Sequence, residues 1–102
     1  MVKGNIMLQA RRMQSQIQQL QEELAEQSFE GASGGGLVKV TADGRQKIRK
    51  IDISPDAIDP EDLDELADLV TAAVNMAVQA SLSYSRAEMK KITGGLALPG
   101  MI

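Results

Sequence analysis

The first quarter of the chain carries an apolar repeat with the spacing of a long α-helix. Between residues 5 and 27, apolar side chains recur at intervals of 4, 3, 4, 3 and 4, at Ile6, Ala10, Met13, Ile17, Leu20 and Leu24. This is a heptad stripe, and Asn5 before it is a suitable N-cap. Such a helix is about 35 Å long at 1.5 Å per residue. It either packs its stripe on the protein's own sheet or pairs partly with a second subunit, and the spacing allows both.

Composition limits how the core can be built. Of the 102 residues 43% are hydrophobic, but Phe29 and Tyr84 are the only aromatic residues. The core must therefore consist of Leu, Ile, Val, Ala and Met side chains, which is thin for a self-sufficient monomer. We expect one small domain at residues 1–93, a flexible tail at residues 94–102, and an obligate oligomer.

Several classes of protein are disfavoured by what the sequence lacks. It has no Cys and no His, which excludes disulfides, Cys/His metal sites and histidine acid–base chemistry. We expect no apolar run to approach the ~20 residues of a membrane span, and the first residues lack the apolar core of a signal peptide. We expect a soluble cytoplasmic protein with no cofactor, no membrane partner and no small-molecule substrate.

The middle of the chain is expected to form short strands. Residues 28–30 favour a strand, and the glycine-rich residues 31–36 favour a loop. This loop leads into a strand and not into a helix, so it is not a phosphate-binding loop. Two further strands are predicted at residues 37–41 and 46–53, joined by a turn at Asp43-Gly44.

Two registers of this hairpin are possible. A two-residue loop pairs Ala42 with Arg45 and places Val38 opposite Arg49, which mixes apolar and cationic groups on one face. A three-residue loop instead pairs Thr41 with Arg45 and places Val38 opposite Ile48. We prefer the second register because it segregates charge from core.

The preferred register has two consequences. It collects four cations on the face away from the core, namely Lys39, Arg45, Lys47 and Arg49. The isoleucines at 51 and 53 then have the wrong parity for one flat strand, so a second bulge or a twist is expected near Lys50.

The last third of the chain predicts a second long helix. Residues 56–68 contain seven carboxylates. Residues 59–62 are a typical helix start, with Asp59 as the cap, Pro60 at the first position and then acids that suit the helix dipole. The helix is expected to end near Ile92, before Gly94-Gly95. One apolar row runs along it, at Leu63, Leu66, Val70, Ala73, Ala77 and Ala80. Its middle is apolar nearly all round, which predicts burial on several sides, and its small residues permit a close neighbour.

Four segments together resemble the YbaB/EbfC family of bacterial nucleoid-associated proteins. The strongest are GLVKVT at residues 36–41 and IDISP at residues 51–55, on either side of a turn glycine and a basic strand. MLQARRMQSQIQQLQEELAE at residues 7–26 and GGLALPGM at residues 94–101 match more weakly. The resemblance covers nearly the full chain.

The resemblance implies an α+β chain of order α-β-β-β-α, with a small antiparallel sheet between two long helices. It further implies a homodimer formed through the sheet, with the helices projecting like the arms of tweezers. The implied function is binding of duplex DNA with limited sequence preference, to organise the nucleoid and influence gene expression. Relatives often carry Asn where this chain has Asp43, and the net charge of −3 is unusual for a DNA-binding protein.

An acidic protein can hold DNA if its cations are segregated, because exposed charges are screened beyond ~8–10 Å at physiological salt. Antiparallel packing of the two helices would gather six helix-end cations, offset locally only by Glu88: Lys3, Arg11, Arg12, Arg86, Lys90 and Lys91. The hairpin cations Lys39, Arg45, Lys47 and Arg49 are expected to support this contact. The sequence shows no zinc finger, no helix-turn-helix spacing and few aromatic residues that could stack on bases. The binding should therefore be electrostatic and salt-dependent.

Two other functions compete with DNA binding. The heptad stripe and the small residues of the second helix could serve a partner helix in a protein–protein adaptor, with incidental DNA affinity. Carboxylate pairs such as Asp62 and Glu65 could serve acid–base chemistry or hold a divalent cation. Acids are expected in the first turns of a helix in any case, and the loop pattern of a calcium site is missing. Enzymatic activity is therefore the least favoured interpretation of the sequence.

Overall fold

The computed structural model describes residues 2–94, with residues 2–4 described by their backbone alone. The chain folds as α+β, as predicted. Its elements follow in the order α1 (Val2–Glu26), β1 (Ser28–Ser33), a 3₁₀ turn (Gly34–Gly36), β2 (Val38–Asp43), β3 (Ile48–Ile53), a second 3₁₀ turn (Pro55–Ala57) and α2 (Leu63–Thr93). The tail predicted after residue 93 lies outside the described residues beyond Gly94.

The heptad stripe of α1 is buried at one end only. Leu20 and Leu24 are buried, Met13 and Ile17 are half-buried, and Ile6 is exposed. The cause is that only the second half of α1 has the rest of the chain beside it. Asn5 lies inside the helix, which begins three residues earlier, so its prediction as the N-cap is wrong.

The three strands form one antiparallel sheet in the order β1-β2-β3. In the hairpin, Val38 pairs with Ile53 and Ala42 pairs with Ile48, with a register shift beside Thr41 that leaves Arg49 as the extra residue. Both predicted registers are therefore wrong, because the loop spans residues 44–47 and is closed by the bond from Asp43 N to Lys47 O, 2.8 Å. The irregularity expected near Lys50 is present, one residue earlier.

The predicted loop at residues 31–36 is a loop only in its second half. Gly31 belongs to β1 and pairs with Val40. A Cβ built at Gly31 would overlap the carbonyl oxygen of Ala73 and lie 2.6 Å from the nitrogen of Ala77. This glycine is required because the backbone of α2 crosses β1 at contact distance, which the small residues of α2 were expected to permit.

The N-cap of α2 is Asp62, whose carboxylate accepts a hydrogen bond from the backbone N–H of Glu65 at 3.2 Å. The prediction of a cap at Asp59 is wrong, because Asp59 instead accepts from the N–H of Glu61 in the preceding turn, 2.9 Å. The predicted end of α2 is confirmed. Gly94 has a φ of 66°, in the left-handed region that favours glycine, and its N–H bonds the carbonyl of Lys90.

The core lies between one face of α2 and the sheet. It consists of fully buried Val38, Val40 and Ala42 from β2, packed against Ala73 and Ala77 of α2. The predicted apolar row is thus confirmed at its centre, but its ends Leu63 and Ala80 are exposed. Burial of α2 on several sides is not seen in the single chain, because only one face meets the sheet and Met76 remains 54% exposed.

One further property of α2 departs from the sequence expectation. It is long and apolar enough, over one 18-residue window with a mean hydropathy of 1.2, to meet the length and composition of a membrane-crossing helix. The expectation that no run approaches such a length therefore does not hold for α2. Core helices of water-soluble proteins pass the same test, and here one face of α2 packs on the sheet.

Candidate nucleic-acid interface

The two helices pack antiparallel. Gln27, just after α1, donates from its side chain to the hydroxyl of Tyr84, 3.2 Å, and Tyr84 also contacts Phe29, with ring centroids 5.3 Å apart. Farther along, Gln16 of α1 shares a groove with Ile92 near the end of α2. The part of α1 that precedes Gln16 therefore extends beyond α2, which gives the chain its length of 71 Å against widths of 21 and 17 Å.

This packing places basic residues of both helices at one end. Arg12 is four residues before Gln16, about 6 Å along the helix axis, and Arg11 is adjacent. Lys90 and Lys91 lie in the last turn of α2, and all four side chains are exposed. Arg86 lies about one turn before Lys90, whereas Lys3 belongs to α1 about 20 Å beyond Gln16. The helix-end cations thus occupy a band along this end.

One carboxylate neutralises part of this band. Glu88 bonds Lys91 through Oε2 and Nζ, 2.9 Å apart. The hydrogen bond from Lys91, then that from Tyr84, hold the pKa of Glu88 below its usual value, and Glu88 in turn raises the pKa of Lys91. Within residues 5–94, Arg11, Arg12, Arg86 and Lys90 have no carboxylate within 4.0 Å.

The acidic residues of α2 other than Glu88 lie at its other end. Asp62, Asp64, Glu65 and Asp68 stand at its cap and in its first turns. From Asp68 to Lys90 is about 33 Å along the helix, several times the screening length of about 8 Å at physiological salt. In the described part of the chain no three of these carboxylates are grouped as a metal site. The acidic start of α2 and its basic end are therefore electrostatically separate, although Glu23 of α1 lines the same groove as Lys91.

The hairpin contains a buried aspartate that the sequence presented only as a turn residue. Oδ1 of Asp43 accepts from the backbone N–H of Arg45 at 2.8 Å and of Lys47 at 3.1 Å, and Oδ2 accepts from Nε of Arg49 at 2.9 Å. Burial acts to raise the pKa of Asp43, but these two backbone bonds and the Arg49 guanidinium together lower it below its ordinary value. The carboxylate organises the loop.

Polar bonds fix the hairpin to both helices. The side chain of Gln46 donates to the hydroxyls of Ser81, 3.0 Å, and Ser85, 3.3 Å, while Ser81 donates to the carbonyl of Asp43, 2.6 Å. The N–H of Gly44 bonds the carbonyl of Leu24 in α1, 2.7 Å. These residues were missed from the sequence, where two serines spaced four apart in an apolar helix were the only signal.

The four hairpin cations do not form the single patch that was predicted. The patch was derived from a register that the structure does not have. Lys39 projects from the sheet face away from α2, opposite Asp52, and the Arg49 side chain is bonded to Asp43. Arg45 and Lys47 are exposed in the loop. Since Gly44 contacts Leu24, this loop lies about 18 Å along α1 from Arg12.

Comparison with known proteins gives this arrangement a context. The sequence profile of the YbaB/EbfC DNA-binding family matches residues 2–96. The chain belongs to the YbaB/EbfC DNA-binding family. It is 47% identical over 98 residues to a nucleoid-associated protein of Clostridium novyi, covering 96% of this chain and 86% of the relative. It is 52% identical over 86 residues to a nucleoid-associated protein of Moorella thermoacetica, covering 84% and 83%.

A solved structure supports the fold. The crystal structure of an uncharacterized protein of Helicobacter pylori superposes with a TM-score of 0.75 at 21% identity, over 83% of this chain and 89% of that one. The order of helices and strands predicted from the sequence is therefore confirmed. The YbaB/EbfC family assigned from sequence resemblance is confirmed by the profile match. Family membership also places the chain in a DNA-binding family and not in an enzyme family.

Proposed function

We propose that this protein binds duplex DNA as a homodimer with limited sequence specificity, and so helps to organise the nucleoid in the cytoplasm and influences gene expression. The observation that carries the proposal is the separation of the helix-end cations from the acidic start of α2. Together with membership of a DNA-binding family, it explains how a chain with a net charge of −3 can offer a polyanion a locally positive surface.

The contact proposed is with phosphates. Arg11, Arg12 and Lys90 are exposed and have no carboxylate partner within 4.0 Å among residues 5–94, so their charge is available. Each phosphate neutralised releases counterions, and the logarithm of the binding constant falls with the logarithm of salt by about 0.9 per contact. We expect Arg45 and Lys47 to add weaker contacts from the hairpin, with Lys39 and Arg49 contributing less.

A homodimer formed through the sheet is supported by apolar surface that the single chain leaves uncovered. Ile51 and Ile53 of β3, with Ile58 and Leu63 after it, are between 40% and 59% exposed. β3 is an edge strand, and α2 packs mainly on β1 and β2. Exposed apolar side chains on an open sheet edge are a liability for a monomer and suit a subunit interface.

A titration of labelled duplex against pure protein, at two salt concentrations and with unlabelled competitor, tests the function. We expect the affinity for the duplex to weaken several-fold when the salt concentration is doubled. We also expect unlabelled competitor of unrelated sequence to reduce the amount of labelled duplex bound. Absence of binding at low salt, or an affinity independent of salt, contradicts the proposal.

A protein–protein adaptor is the second candidate, and one observation favours it. The outer face of α2 carries a shallow apolar groove beside Met76 and Ala80. Sedimentation at micromolar concentration separates the candidates. A dimer supports the homodimeric DNA-binding protein, whereas a monomer with no DNA affinity supports an adaptor that lacks its hetero-partner. We expect no catalytic activity from either.

A further inference from the structure

We propose that the projecting segment of α1, residues 5–12, inserts apolar side chains between base pairs when its arginines bind the phosphates, so that the bound duplex is locally unstacked. This inference rests on the proposed DNA-binding function and adds to it a second kind of contact. The side chains concerned are Met7 and Leu8, with Ile6 beside them.

These three side chains are unusually exposed for their type. Ile6 is 58% exposed, Met7 60% and Leu8 47%. They are consecutive, and since successive residues of a helix are rotated by about 100°, they form an apolar turn that spans about 200° of the circumference of the helix. The protein's own α2 ends near Gln16 and does not reach them. Exposed apolar side chains that cover more than half of the circumference of a projecting helix favour insertion into a partner more than one-sided packing.

The charge around this turn indicates the chemistry of the partner. Lys3, Arg11 and Arg12 are the only charged residues of α1 before Glu22, so the projecting segment is purely cationic. Met7 lies one turn before Arg11, and Leu8 lies one turn before Arg12, on the same faces of the helix. A partner must therefore present anions and an apolar interior about one helical turn, or 5.4 Å, apart.

A second copy of the same segment does not fit this description. Pairing two such helices would bring Arg11 and Arg12 close to like charges in the absence of carboxylates. Duplex DNA does fit, because its phosphates flank a stack of apolar base faces. Architectural proteins insert Leu, Ile or Met side chains between base steps in this way and thereby kink the duplex.

Insertion would also give the protein a sequence preference without base-edge hydrogen bonds. Pyrimidine–purine steps such as TA unstack more easily than A-tracts. We therefore expect tighter binding to duplexes that contain TA steps, even though no side chain reads a base.

The test uses a duplex that contains 2-aminopurine beside a TA step, because the fluorescence of this base rises when it is unstacked. The full chain is compared with Met7→Ala/Leu8→Ala, whose alanines favour the helix, and with Met76→Ala as a control at an exposed methionine on α2. Arg11→Gln/Arg12→Gln separates phosphate binding from insertion. Circular dichroism and sedimentation monitor the fold and the oligomer.

We expect the wild type and Met76→Ala to raise the fluorescence on binding. Met7→Ala/Leu8→Ala should lose most of this rise while its dissociation constant stays within about threefold, because the phosphate contacts remain. Arg11→Gln/Arg12→Gln should instead bind the duplex more weakly, because it lacks the phosphate contacts. These results together support insertion.

Other results overturn the inference. If the wild type binds with no rise in fluorescence, or if Met7→Ala/Leu8→Ala gives the full rise, insertion is wrong while DNA binding stands. If that variant instead dissociates to smaller oligomers, the apolar turn contacts a second copy of the chain and insertion is also wrong. If no form of the protein binds the duplex, the proposed function fails and the inference fails with it.

Discussion

Nη2 of Arg49 lies 2.8 Å from Oδ2 of Asp43, whose side chain is only 4% exposed. The same oxygen accepts a bond from Nε of Arg49, so one of the hairpin's cations is bound within the fold. This pair, with the two backbone N–H groups on Oδ1, closes the loop between β2 and β3. The basic residues of the hairpin are therefore unequal, because the side chain of Arg49 stabilises the loop and those of Lys39, Arg45 and Lys47 are exposed.

The first prediction concerns the stability that Asp43 supplies. Asp43→Asn removes the negative charge that accepts hydrogen bonds from Arg49 and from two backbone N–H groups. We therefore expect the free energy of unfolding to fall by about 1–3 kcal/mol. Asp52→Asn is the matched control. Its carboxylate pairs with Lys50 at 3.4 Å on exposed surface, where such pairs contribute about 0–1 kcal/mol. Urea unfolding at fixed protein concentration measures both, and equal losses would contradict the account.

The second prediction is the pH at which this contribution disappears. The pKa of Asp43 in the folded protein is below its ordinary value of 3.8, so the folded state favours the charged form. Its stabilising effect is therefore complete above the unfolded-state pKa and is lost as the pH falls through the folded-state pKa. The difference in stability between the wild type and Asp43→Asn should shrink in that acidic range. A difference that stays constant down to about pH 2 would contradict this origin.

The third prediction tests the crossing of α2 over β1. Gly31→Ala places a methyl group against the backbone of Ala73 and Ala77. Unlike a side chain, this backbone cannot move aside by changing its rotamer. We expect a loss of about 2–4 kcal/mol, because strand and helix must separate. Gly35→Ala is the control, since its added methyl group meets nothing within 4 Å. Its only cost is the strain of an alanine at a φ of 65°, about 1–2 kcal/mol. Thermal unfolding compares the two, and a tolerated Gly31→Ala would be the contrary result.

The fourth prediction concerns Glu88, which pairs with Lys91 among the helix-end cations. Glu88→Gln removes a carboxylate that competes with phosphate for Lys91, so we expect the DNA affinity to rise by about two- to fivefold and its salt dependence to steepen. Glu61→Gln makes the same charge change at the acidic end of the chain and should leave the affinity nearly unchanged. Equal effects of the two variants would mean that net charge, and not its placement, governs binding.

The features that the sequence predicted correctly are those with local causes. The heptad stripe specified α1, the proline and acids near residue 60 specified the start of α2 to within a turn, and Gly94 specified its end. These depend on propensity and capping within a few residues. The separation of the acidic start of α2 from its basic end also followed from the positions of these residues along the helix.

The features that the sequence did not predict depend on tertiary contacts. The register of the hairpin is shifted by Arg49, which leaves the regular ladder and bonds Asp43, and no local pattern marks that choice. Gln46 adopts a φ of 63° because its side chain is held by the serines of α2, about 35 residues away in sequence. Gly31 lies in a strand and not in the predicted loop, and a glycine is required there because the backbone of the distant helix α2 lies against it.

The central claim is that the helix-end cations, well separated from the acidic start of α2, hold the DNA. It is tested most directly by measuring the affinity for duplex DNA against salt for Arg11→Glu/Arg12→Glu, beside Lys50→Glu as an exposed cation of β3 outside the cluster. The account predicts an affinity at least about tenfold weaker and a shallower salt dependence for the double variant, with little change for Lys50→Glu. An unchanged affinity and salt dependence of the double variant, with its fold intact, would contradict the account.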